Sequence, residues 1–234
     1  MNYSSSFCRK QARAFTLIEL LVVIAIIGIL AALIVGGSAI AITKARRASV
    51  EAQRDTLITA IESYHNAKGF YPPDNTLATT TNSTYQNTLF YELTGMKYTP
   101  ANTTFISPVS GESLTAMNLT SYFGAGGILN SSADTNNPPQ NFYVGLKANQ
   151  HEIVNVGGAG AGAGNSFTVL GINVSGPVNL APTTAPGYLI NPWNYVVSHP
   201  TNNVDSFDLW MDVAWAGKTN RVSNWSKDPQ VVSY

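Results

Sequence analysis

The chain has 234 residues with a net charge of zero, and only 11% of its residues are charged. It carries no basic surplus to neutralise phosphates, which argues against nucleic-acid binding. The single cysteine, Cys8, lies near the start, so the rest of the chain has neither a disulfide staple nor thiol chemistry.

Residues 1–14 are short and basic, with Arg9, Lys10 and Arg13. They run into Ala14, Phe15, Thr16, Leu17, Ile18, Glu19, Leu20 and Leu21, after which residues 20–42 hold no charge. A helix over that run reaches across the roughly 30 Å hydrocarbon core of a bilayer. Glu19 sits at its edge, where a bare carboxylate is costly. No cation lies nearby in the same helix, and a cut before Phe15 would supply one as a new α-amino group. An ordinary secretory signal peptide fits less well, because the apolar run is too long and no Ala-x-Ala site sits cleanly at its end. A plain signal anchor is the stronger alternative. Charge does not orient the span, since Lys44, Arg46 and Arg47 on the far side balance the three cations before it.

Residues 13–30, from Arg13 through Phe15 and Glu19 to Gly28 and Leu30, closely resemble the amino-terminal signature of type IV pilins and type II secretion pseudopilins. The resemblance implies cleavage by prepilin peptidase between Ala14 and Phe15, methylation of the Phe15 amine, and pairing of the Glu19 carboxylate with a terminal amine as subunits stack. It implies further partners: other pilin or pseudopilin subunits, an inner-membrane assembly platform and membrane lipid. It also implies a single-pass protein of the bacterial inner membrane, with the amino terminus cytoplasmic and the remainder exported. One departure is that Ala14 stands where the family usually has glycine.

The helix is expected to continue to about residue 67. Val50, Leu57, Ile61 and Tyr64 form one apolar stripe at 3.6-residue periodicity, with Glu51, Arg54, Asp55 and Glu62 largely off it. The stripe calls for a surface such as a sheet from the downstream domain. Gly28, Gly36 and Gly37 interrupt the first half; they suit either close helix approach or a weak point where the helix bends. Gly69 and Pro72-Pro73 end the helix. The exit through Tyr64, Gly69, Tyr71 and Pro72 resembles that of the major, G-type pseudopilins.

Beyond Tyr71 the pattern is turns and short strands. Residues 79–84 and 131–140 read as loops, and residues 89–93 as a short helix before Gly95. The glycine-alanine run at 157–164 reads as a surface loop, since no lysine follows it to cradle phosphate. Residues 167–174 and 195–197 are the best strands. Pro192 and Trp193 partly resemble a strand entry of the major pseudopilins, where a calcium-binding loop follows. Here Asp205, Asp208, Asp212 and the distant Asp228 supply the acids, while Lys218 and Arg221 oppose them. Asp208 and Asp212 equally suit the solvent face of a strand, so no metal ligand and no cofactor is assigned. Trp193, Trp210, Trp215 and Trp225 read as core filler first and a glycan- or subunit-contact surface second. No catalytic constellation appears among the three histidines.

The expected fold is α+β: a leader at 1–14, a long helix at 15–69 that is transmembrane over about 17–42, and an exported loop- and β-rich domain at 70–234 with a small antiparallel sheet. The expected function is that of a non-enzymatic filament subunit, most like a major pseudopilin. The alternative is a membrane-anchored, exported glycan-binding or interaction module.

Overall fold

The computed structural model describes residues 15–77, 84–155, 166–180, 189–215 and 217–233. Residues 1–14, Ala14 among them, most of the segment expected as a loop at 79–84 and the whole 157–164 run lie outside them. The chain divides into two compact units, Met1–Ala45 and Arg46–Tyr234.

Helix α1 covers Leu17–Lys68. Over Leu17–Ile34 it is long and apolar enough to cross a membrane, and its large side chains there are exposed, from Leu17 at 82% to Ile34 at 71%. Such a surface calls for lipid or other apolar helices around it. Gly36 and Gly37 fall where only the helical backbone is described, so both readings of them, close helix approach and a weak point, lie outside the described residues.

In the second unit α1 turns amphipathic as its stripe requires. Val50, Leu57, Ile61 and Tyr64 are fully buried, and Gln53 and Ala60 join them. Burying each large apolar member removes it from water for a gain of about 1.5–3 kcal/mol. The helix stops where Gly69 takes φ +83°, a left-handed conformation that glycine reaches without steric cost. The Gly69 amide donates to the His65 carbonyl at 2.7 Å, satisfying one of the last helical acceptors.

Short helix α2 (Leu89–Thr94) is buried throughout and ends at Gly95, as the sequence indicated. Strands β1 (Met96–Thr99), β2 (Thr104–Ile106) and β3 (Ser113–Thr115) follow, then helix α3 (Ala116–Phe123) and the two-residue β4 (Ser131–Ser132). They form a sheet of order β3-β2-β1-β4, antiparallel except for the β1–β4 pair. The segment expected as a loop at 131–140 therefore begins with a strand. β5 (His151–Asn155), β6 (Ser166–Ile172) and β7 (Asn191–Pro192) make a second antiparallel sheet. β8 (Asn194–Val196), β9 (Asp208–Trp215), β10 (Lys218–Ser223) and β11 (Gln230–Val232) make a third, ordered β11-β10-β9-β8. The α+β class holds, with three small sheets among the described residues in place of one.

The core joins the α1 stripe to α2, α3 and all three sheets. β9 shows why: Leu209, Met211 and Val213 alternate inward and are buried, as period-2 geometry demands. β6 is buried on nearly every residue, the signature of a strand covered on both faces.

Candidate functional site

The first turn of α1 is built around Glu19. Thr16 precedes the helix as its N-cap. The Thr16 amide donates to Glu19 Oε2 at 2.9 Å, and the Thr16 hydroxyl donates to the same oxygen at 2.8 Å. In return the Glu19 amide donates to Thr16 Oγ1 at 3.3 Å. This is a reciprocal capping box: two otherwise orphaned helix donors are satisfied, and a carboxylate lies at the positive end of the helix dipole. The Ser/Thr-x-x-Glu spacing is present in the sequence, where the carboxylate has no cationic partner within its own helix. It has a neutral one in Thr16. Both bonds use Oε2, and among the described residues Oε1 accepts none. Phe15, immediately before, is exposed at 81%.

The second unit carries a set of buried polar ties between α1 and the sheets. Gln53, 1% exposed, accepts from Trp193 Nε1 at 2.9 Å and donates to the Gly171 carbonyl at 3.2 Å. Tyr64 donates to Glu92 Oε2 at 2.9 Å, and the amides of Leu129 and Asn130 donate to the same carboxylate at 2.8 and 2.9 Å. Burial pushes the Glu92 pKa up, and these donors together with the nearby Lys68 charge counter it in part. Asp74, just past the helix exit, accepts from the amides of Val197 and Ser198, each at 2.9 Å. Tyr195 donates to the Pro72 carbonyl at 2.7 Å. With no disulfide available, carboxylates and amides hold the irregular segments to the frame.

Asp208 and Asp212 do not face solvent, contrary to the alternation reading; they are 2% and 6% exposed. Asp208 accepts from the amides of Thr201, Asn202 and Asn203 at 2.8–2.9 Å. Burial alone would raise its pKa, but the Asn202, Thr201 and Asn203 donors outweigh it and hold the carboxyl below its usual range. Asp212 forms a bidentate pair with Arg221, both bonds at 2.8 Å. The oxygens of these two carboxylates accept from protein donors. Among the described residues no three His, Cys, Asp or Glu side chains gather as metal ligands do.

The tryptophans divide. Trp193 is core at 1% exposed. Trp210, Trp215 and Trp225 are half-buried, with Trp210 against Trp225 at 5.9 Å and the Arg221 guanidinium over the Trp210 ring. The three do not form one exposed platform with Trp193, as a glycan surface would need. His65 stacks on Tyr71 at 4.1 Å.

Residues 9–35 match the family model described as the prokaryotic N-terminal methylation motif. The match contains Ala14, Phe15, Thr16 and Glu19. No curated protein and no solved structure matches the chain.

Proposed function

We propose that this protein is a pilin-like filament subunit, most like a major pseudopilin of type II secretion, that works by assembly and not by catalysis. The observation that carries the reading is the Thr16–Glu19 box inside the methylation motif, at the head of an exposed apolar helix. Prepilin peptidase would cut between Ala14 and Phe15 and leave Phe15 as a methylated terminus. Thr16 then fixes the first turn and presents Oε1 of Glu19 outward. A Phe15 ammonium from another subunit would form a charge-assisted hydrogen bond there as the apolar helices pack. In lipid or in a helix bundle the pair offsets the burial of both charges. The helix exit through Tyr71 and Pro72 favours a secretion pseudopilus over a pilus. Leader 1–14, helix 15–69 and an exported domain 70–234 are the corresponding parts, held as a single-pass inner-membrane protein until extraction by an assembly platform.

Two substitutions separate capping from charge. Glutamine at this third helical position retains the box but carries no charge, whereas alanine loses both. Glu19→Gln and Glu19→Ala are both expected to insert in the membrane and to fail at filament incorporation. Normal incorporation of Glu19→Gln would mean that the residue serves only to start the helix, and the pairing mechanism would fall.

A further inference from the structure

A basic patch stands where the chain enters the second unit, and the domain's own fold adds to it. Lys44 is the first charged residue after Glu19, and Arg46 and Arg47 follow. Arg47 reaches both neighbouring acids, Glu51 at 2.7 Å and Asp228 at 3.2 Å. The second contact brings the 225–228 turn beside the start of this unit's helix. That turn contributes exposed Lys227 and half-buried Trp225. Because Arg47 engages both acids, no acid among the described residues pairs with the exposed Arg46 or with Lys227. Arg46 and Lys227 are thus two exposed cations without an acid partner among the described residues, carried by segments about 180 residues apart in the chain that the Arg47–Asp228 contact holds together.

We propose that this patch docks on the anionic phospholipid headgroups of the membrane in which the apolar segment is anchored. The inference rests on the membrane-anchored reading but not on either orientation. Arg46 lies four chain steps beyond Ile42, the end of the apolar run. Even fully extended they span no more than roughly 14 Å, within about two Debye lengths of a charged surface at physiological salt. Arg46 therefore stays near the headgroup zone while residues 20–42 are in hydrocarbon. Lys and Arg side chains at that depth bind lipid phosphates, and Trp is the side chain whose apolar body and polar edge suit the same layer. The cations before the span already balance Lys44, Arg46 and Arg47 in orienting it, so this second cluster gives no net topological signal. Holding the domain against the bilayer is what its placement supports. Release from those phosphates then becomes a step that extraction into a filament must overcome.

The test places the full-length protein, one copy per disc, in nanodiscs of phosphatidylcholine alone or with one third phosphatidylglycerol, and follows amide hydrogen exchange. In anionic discs residues 224–230 should exchange at least about fivefold more slowly than in neutral ones, the difference one lipid-bound cation makes. The slowing should vanish in Arg46→Gln/Lys227→Gln and in about 1 M salt, where screening is complete within a few ångströms. Inorganic phosphate added to neutral discs should not reproduce it. Equal exchange in the two lipids, or protection that persists in neutral discs through protein contact, would overturn the proposal. If residues 20–42 exchange freely in every disc, the span is not in the membrane, and the anchored reading falls first.

Discussion

Replacing Gln53 by leucine would complete the apolar stripe of α1, and by pattern alone it should strengthen the packing. The structure gives the opposite sign. Gln53 is the acceptor for the indole N–H of Trp193 and a donor to the Gly171 carbonyl, and both it and the indole are 1% exposed. Leucine leaves a buried N–H and a buried C=O unmatched, each costing about 1–3 kcal/mol. The gain from a buried leucine is about 1.5–3 kcal/mol at most, and only if it packs without strain. Leucine is also shorter in reach and branched where glutamine is straight, so much of that gain is lost. The net expectation is a destabilisation of roughly 1–4 kcal/mol, or about 3–12 °C in the melting midpoint for a domain of this size. The assay is thermal unfolding of the detergent-solubilised full chain, followed by tryptophan fluorescence. Thr56→Ala serves as the control: its hydroxyl is exposed and bonds only to the Ala52 carbonyl of its own helix, so it should shift stability by no more than about 0.5 kcal/mol. A Gln53→Leu midpoint equal to or above that of the parent would refute the reasoning.

Other outcomes follow from the same geometry. Tyr64→Phe removes the hydroxyl that donates to the buried Glu92 carboxylate and should cost about 1–3 kcal/mol, read by the same melt. Asp208 titrates below its ordinary value of 3.8 in the folded protein. Its stabilisation is therefore present above pH 3.8 and lost as pH falls through the folded value, so Asp208→Asn should close its stability deficit to the parent only in that acid range. Burial raises Glu112 above its ordinary 4.5. That contribution is full below pH 4.5 and lost as pH rises through the folded value, so the parent should lose stability relative to Glu112→Gln across that rise in a pH series of melts. Chelator and millimolar calcium should leave the midpoint within about 1 °C of each other, because a cation held by the native state would raise it; a calcium-dependent rise would show that the Asp208 and Asp212 oxygens exchange their protein donors for metal.

What the sequence revealed and what it hid divide along physical lines. The Val50, Leu57, Ile61 and Tyr64 stripe was readable because apolar side chains report their own burial through periodicity. The stop at Gly69 and the short helix before Gly95 were readable because positive φ favours a residue without Cβ. Buried polar residues give no such signal. Gln53, Asp74, Glu92 and Asp208 look like surface residues until their partners are known, and for Gln53 and Asp74 those partners lie more than a hundred residues away. Asp208 and Asp212 were misread for this reason, since alternation tells which residues share a face but not which face is covered. Arg221, in sequence a charge opposing a cation site, is the partner that occupies Asp212. The Thr16–Glu19 box differs from these: its spacing is local and legible, and the partner it supplies is neutral where the charge alone points to a cation. The tryptophans resolved unequally because one residue type serves both core and boundary.

The most direct test of the filament-subunit account is the amino-terminal sequence and mass of the mature protein recovered from membranes. A terminus at N-methylated Phe15 is the expected result and would establish that the bond after Ala14 is cut and its new amine modified. An intact chain beginning at Met1 would contradict the account, because Glu19 would then have no Phe15 ammonium to pair with.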